Sequence, residues 1–100
     1  MINETQKSVV EQSAFITLVT LNTDGTAHPI VAGKAEIQGD KLIFGIYKME
    51  TTQKNLAADA RAWVVAATMD GGPLGFRFAG NAAVEGGSLI FTVTDAESLI

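Results

Sequence analysis

The feature that most constrains the fold is a series of short β-prone runs separated by turns that contain glycine. The clearest example is Asp24-Gly25, which lies between the β-rich runs Ala14–Leu21 and Ala27–Gln38. Asp-Gly in this position is a strong hairpin signal, because glycine supplies the positive φ that a tight turn needs. Short strands at this spacing are typical of a small antiparallel barrel or sandwich.

The whole pattern predicts a mostly β fold with six strands and two short helices. The predicted strands are Ala14–Leu21, Ala27–Gln38, Lys41–Tyr47, Arg61–Thr68, Leu74–Val84 and Ser88–Thr94. A weak helical pattern predicts an N-terminal helix at Glu4–Gln12, and a second helix is predicted at Thr52–Ala60, between the third and fourth strands. We expect Gly33 to bend the second strand and Asp95–Ile100 to form a short tail.

Length and composition predict one domain that spans residues 1–100. Hydrophobic residues make up 47% of the chain, which excludes a disordered protein. Charged residues make up only 18%, so the chain has more hydrophobic surface than one small core needs. We therefore expect an oligomer whose interface covers the excess.

Charge and the rarer residues exclude several classes of function. The net charge is −4 and the seven basic residues are scattered, which argues against a nucleic-acid partner. The chain has no cysteine and one histidine, so we expect no disulfide and no metal site. The first residues, Met1–Lys7, are polar and no long apolar run follows, so we expect no membrane association and a cytoplasmic protein.

The segment that points most directly to function is the junction between the third strand and the second helix. It contains Thr51, Thr52, Lys54 and Asn55. A helix N-terminus has unpaired backbone N–H groups and a partial positive charge, and these side chains add donors that suit a phosphate group. The alternative is that Thr51 or Thr52 only caps the helix, since threonine is a good N-cap residue.

The order of these elements resembles an FMN-binding split barrel of the pyridoxamine phosphate oxidase-like superfamily. Within that superfamily, the chain is most similar to the small FMN-binding proteins of sulfate-reducing bacteria. The resemblance spans nearly the whole chain, and no single motif carries it alone. The segments that carry it are Asn22–Gly25, Met49–Arg61, Gly75–Ala83 and Leu89–Leu99.

This resemblance implies a homodimer with FMN bound non-covalently at the subunit interface. The implied cofactor-binding residues are His28, Pro29, Ile30, Val31 and Ala32 along the isoalloxazine ring, Ile46, Tyr47, Lys48 and Met49 on its other side, and Thr51, Thr52, Lys54 and Asn55 around the phosphate. In the small relatives a Lys-Thr pair precedes the helix. Here Thr51 stands where that lysine would be, and Lys54 is the candidate for the displaced charge.

One departure from the family concerns the connection between the last two strands. Family members usually place a helix of a dozen or more residues there, close to the flavin. Here the connection is reduced to Glu85-Gly86-Gly87, which predicts a direct hairpin. We expect a more open and weaker flavin site as a result.

The resemblance makes an FMN protein for electron or hydride transfer with an unknown redox partner the leading hypothesis. No residue resembles a nucleophile with an adjacent base, which argues against hydrolysis. A second hypothesis is a split-barrel dimer that has lost cofactor binding. A third is a different cofactor in the same cleft, such as a deazaflavin or haem.

Overall fold

The fold is a seven-stranded antiparallel sheet with two short helices. A computed structural model describes residues 2–100. The helices are α1 (Glu4–Gln12) and α2 (Glu50–Ala58). The strands are β1 (Ile16–Leu21), β2 (Ala27–Gly33), β3 (Glu36–Gln38), β4 (Lys41–Gly45), β5 (Arg61–Thr68), β6 (Leu74–Glu85) and β7 (Ser88–Ser98).

Strict alternation of side chains builds the core on one face of the sheet. In β1, Ile16, Leu18 and Thr20 are buried while the residues between them are partly exposed. Alternate residues of β4, β5 and β7 are buried in the same way, because successive strand side chains point to opposite faces. The largest of the fully buried side chains are Phe44, Phe78 and Phe91.

The strand order shows how the sheet curls. The order is β2-β1-β5-β6-β7-β4-β3, so the two edge strands are β2 and β3. These edges are consecutive in the chain, and only Lys34 and Ala35 separate them. Two residues span less than about 11 Å even when extended. The two edges of the sheet must therefore approach each other at this point, which rolls the sheet into a barrel without pairing β2 to β3.

The hairpin predicted at Asp24-Gly25 is confirmed. Gly25 has a φ of +87°, and the Asn22 N–H donates to the Thr26 carbonyl at 2.8 Å. The Asp24 carboxylate accepts from the Thr26 hydroxyl at 2.6 Å and from the Thr26 N–H at 3.0 Å, and these bonds lower the pKa of Asp24.

The direct hairpin predicted at Gly86-Gly87 is also confirmed. Glu85 pairs with Ser88, and Gly86 has a φ of +61°. The positive φ falls on the first glycine of the pair, which is the pattern of a type II′ turn.

Several predicted boundaries were wrong, and the number of strands is seven rather than six. Gly33 has a φ of +79° and breaks the predicted second strand into β2 and β3, where the chain passes from one sheet edge to the other. The strand predicted to end at Tyr47 ends at Gly45. The helix α2 begins at Glu50 rather than Thr52, and β7 continues through most of the predicted tail because it pairs with the first half of β6.

The N-terminal helix matches its predicted bounds. Asn3 caps it with a side chain that accepts from the Gln6 N–H at 2.8 Å, while the Gln6 side chain accepts from the Asn3 N–H at 3.0 Å. Neither α1 nor α2 is long and apolar enough to cross a membrane, and residues 2–100 contain no other helix.

Candidate functional site

A cleft of about 250 Å³ lies between β2, the segment that follows β4, and the first turn of α2. Its lining residues are His28, Ile30, Val31, Tyr47, Lys48, Met49, Glu50, Thr51 and Thr52. Eight of these nine were predicted as cofactor-binding residues, and the fold brings them together from three separate parts of the chain. The volume lies just below the range of about 300–1,000 Å³ that is usual for small-molecule sites.

The N-terminus of α2 forms one end of this cleft and has no side-chain cap. The N-cap residue is Met49, whose side chain makes no capping hydrogen bond. Thr51 and Thr52 lie inside the first turn instead, so the capping interpretation of these two threonines was wrong. The contrast with α1, which has a complete capping box at Asn3, shows that α2 leaves its first-turn donors open.

Three donors at this end are available to a ligand. Among residues 2–100, no backbone carbonyl accepts from the N–H of Thr51 or Thr52. Thr52 is 1% exposed and lines the cleft, and no hydrogen bond within the same residues engages its hydroxyl. No buried side-chain N or O atom among residues 2–100 lacks a hydrogen-bond partner, so the Thr52 hydroxyl reaches the surface of the cleft, where a ligand can engage it.

The positive charge at the cleft comes from Lys48 rather than Lys54. Lys48 lines the cleft, and its ammonium lies 5.5 Å from the centre of the Tyr47 ring. It has a φ of +58°, a left-handed conformation that is uncommon outside glycine and that recurs at ligand sites. Lys54 is exposed on α2 and is not part of the cleft lining.

Asn55 lies on the buried face of α2 and is not among the residues that line the cleft. Its amide donates to the Thr20 hydroxyl at 3.1 Å and to the Asn22 side-chain oxygen at 3.0 Å. These bonds fasten α2 to β1 and to the first hairpin. The residue therefore holds the helix in place, and its donors are already engaged.

The remaining predicted residues frame the cleft or lie beside it. Pro29 and Ala32 belong to β2 but are not among the lining residues, whereas Ile46 is half-buried against the core. The Ile46 N–H donates to the Gly87 carbonyl at 3.0 Å, so the β6–β7 turn supports the segment that lines the cleft. Glu50 lines the cleft and was not predicted, although its place between Lys48 and Thr51 could have indicated it.

The fold matches solved structures of several proteins over nearly the whole chain. HupZ from Group A Streptococcus superposes with a TM-score of 0.85 at 16% identity, covering 99% of this chain and 94% of that chain. An FMN-binding protein from Syntrophomonas wolfei superposes with a TM-score of 0.77 at 16% identity, covering 93% of this chain and 82% of that one.

Structures with other ligands in their names share the fold too. A haem-binding protein from Mycobacterium smegmatis superposes with a TM-score of 0.78 at 16% identity, covering 93% of this chain and 51% of that one. An F420 reductase superposes with a TM-score of 0.76 at 13% identity, covering 91% and 94% of the two chains. No family model and no curated protein sequence matches the chain. At these identities the likeness establishes a split-barrel fold.

Proposed function

We propose that this protein binds FMN non-covalently in the cleft at the N-terminus of α2 and takes part in electron or hydride transfer with a redox partner. The observation that carries the proposal is the Thr52 side chain, which is held in a buried position in the first turn of α2 and presents to the cleft a hydroxyl that no hydrogen bond within residues 2–100 engages. Bound FMN would supply the redox chemistry, while the protein would bind and orient it.

The residues at the end of the cleft fit a phosphate group. The free N–H groups of Thr51 and Thr52 and the positive end of α2 favour an anion, and the Thr52 hydroxyl adds a donor from the side. Lys48 supplies an ammonium group from the loop before the helix. These four donors lie within five consecutive residues, 48–52, so they can converge on one phosphate.

The flat part of the ligand would lie between β2 and the segment after β4. Ile30 and Val31 contribute apolar surface from β2, and Tyr47 contributes an aromatic ring from the segment after β4. Val31 is 65% exposed and Tyr47 is 78% exposed, so one copy of the chain leaves these walls open to water. We propose that a second copy covers them, which accords with a cleft volume below the usual range for a complete site.

The test is a titration of FMN and riboflavin by flavin fluorescence, in the wild type and in Thr52→Val. Valine keeps the shape and removes the donor. A hydrogen bond to a charged group contributes about 1.5–3 kcal/mol, so FMN affinity should fall roughly ten- to a hundredfold. Riboflavin has no phosphate and should bind both proteins equally.

Two controls separate a ligand role from a structural one. Thr52→Ser retains the hydroxyl and should retain FMN affinity. Because no hydrogen bond within residues 2–100 engages the Thr52 hydroxyl, Thr52→Val should lose little stability to urea relative to the wild type. If Thr52→Val binds FMN as tightly as the wild type, the phosphate does not sit on Thr52 and the proposal loses its main support.

A second candidate function is haem binding, and the observation that favours it is the position of His28. This is the one histidine of the chain, it is half-buried, and it lines the cleft. A neutral imidazole is a common axial ligand of haem iron. The two candidates make opposite predictions for variants of His28 and Thr52.

Adding haemin to the flavin-free protein decides between them. A Soret band that shifts or disappears in His28→Ala but persists in Thr52→Val would support haem. Tight binding of FMN that survives His28→Ala and is lost in Thr52→Val would support the flavin proposal instead.

A further inference from the structure

We infer that Glu50 is an internal competitor of the ligand phosphate, so that it weakens binding of phosphate monoesters in this cleft while it stabilises α2 in their absence. The inference rests on the proposed phosphate site and adds a residue that tunes its affinity. Its starting point is that Glu50 lines the same cleft as Lys48 and Thr52.

The position of Glu50 in α2 explains why it stabilises this helix when no ligand is bound. Glu50 is the first residue of α2 and the acidic residue of its first turn. The N-cap, Met49, offers no side-chain acceptor to the open N–H groups. A carboxylate in the first turn interacts favourably with the positive end of a helix, so Glu50 stabilises a helix end that no side chain caps.

The charges that line the cleft explain why Glu50 competes with the phosphate of a ligand. The ionisable side chains in the lining are Lys48, Glu50, His28 and Tyr47. Of these, Lys48 brings an ammonium group and Glu50 brings a carboxylate to the same cleft. A phosphate monoester carries a charge of about −1.5 to −2 near pH 7. Its approach to the N-terminus of α2 therefore meets repulsion from a carboxylate that is attracted to the same helix end.

The chain contains a matched control for this residue. Glu4 is the first residue of α1, as Glu50 is of α2, and both are exposed. Glu4 is not part of the cleft lining. Replacing either glutamate by glutamine removes one negative charge from the first turn of a nine-residue helix and leaves the size of the side chain unchanged.

The experiment compares the affinities of the wild type, Glu50→Gln and Glu4→Gln for FMN and riboflavin. The interaction energy of two exposed charges is smaller than the free energy that corresponds to a tenfold change in affinity. We therefore expect FMN to bind Glu50→Gln about two- to fivefold more tightly than the wild type. Riboflavin should bind all three proteins equally, and Glu4→Gln should match the wild type for both ligands. Without ligand, both variants should melt slightly below the wild type.

Other outcomes overturn the inference. Unchanged FMN affinity in Glu50→Gln, or an equal gain for riboflavin, means that Glu50 does not compete with the phosphate. If the wild type binds neither flavin, the proposed FMN function fails by itself. Inorganic phosphate then decides the role of Glu50, because it should raise the melting temperature of Glu50→Gln more than that of the wild type, and an equal rise refutes the competition.

Discussion

Asn55 shows how a residue next to a candidate site can act through the fold. Its amide holds the hydroxyl of Thr20, which is fully buried. Asn55→Ala would leave that hydroxyl without its partner, so we expect the free energy of unfolding in urea to fall by about 1–3 kcal/mol. The control is Asn81→Ala on the exposed face of β6, which should change stability little. Equal losses in the two variants would contradict this role for Asn55.

Gly80 is a second residue whose importance comes from close packing. It lies opposite the bulge at Thr94 of β7, where an added Cβ on Gly80 would overlap the carbonyl oxygen of Thr92. Gly80→Ala must shift the backbone of β6 or β7, and we expect a loss of about 1–3 kcal/mol. For a domain of this size each kcal/mol lowers the melting temperature by roughly 4–8 °C.

Gly45 is the matched control, because an added Cβ there meets no atom within 4 Å and the residue also belongs to a strand. Gly45→Ala should be neutral or slightly stabilising. Calorimetry on both variants checks the contrast, and a melting temperature of Gly80→Ala equal to that of the wild type would show that the bulge can absorb a methyl group.

At the scale of elements, the β6–β7 hairpin is the place where the chain differs from the family that it resembles. The turn at Gly86-Gly87 is tight, and its Gly87 carbonyl accepts from Ile46 beside the cleft. We expect that grafting a family-type helix in place of the two glycines tightens FMN binding, because the helix would exclude water from the flavin.

The graft needs a control of equal length, since any insertion disturbs the bond to Ile46. A flexible glycine-serine loop lengthens the connection without adding a wall and should weaken or leave unchanged the affinity for FMN. Fluorescence titration compares the two insertions. If a correctly folded helix graft binds FMN no better than the flexible loop does, the short turn is neutral for the site.

At the scale of the whole molecule, the open cleft predicts a dimer. An interface of obligate size buries roughly 2,000 Å² in total, or about 1,000 Å² per copy, and that share is about a fifth of the 5557 Å² surface of one copy. We expect light scattering to show a dimer at micromolar concentration.

Val31→Lys places a charge on the exposed wall of the cleft and should yield a monomer with weak FMN binding. Met69→Lys is a matched control, since Met69 is 75% exposed and lies outside the cleft lining. A stable wild-type monomer would remove the basis for an interface site.

Features that depend on neighbours in the chain could be predicted from the sequence alone. The bounds of α1 and β5 and the turns at Asp24-Gly25 and Gly86-Gly87 were predicted correctly, because patterning and glycine conformation act within a few residues. Eight of the nine residues that line the cleft were also anticipated, since the family resemblance indicated which segments meet.

The tertiary structure decided the features that depend on distant parts of the chain. Gly33 separates two strands rather than bending one, because β2 pairs with β1 whereas β3 pairs with β4 at the other edge of the sheet. Asn55 turns inward because its partners, Thr20 and Asn22, lie on another element. Whether Thr52 caps α2 or faces a cleft depended on where the helix begins, and it begins at Glu50, after Met49, which packs against the core.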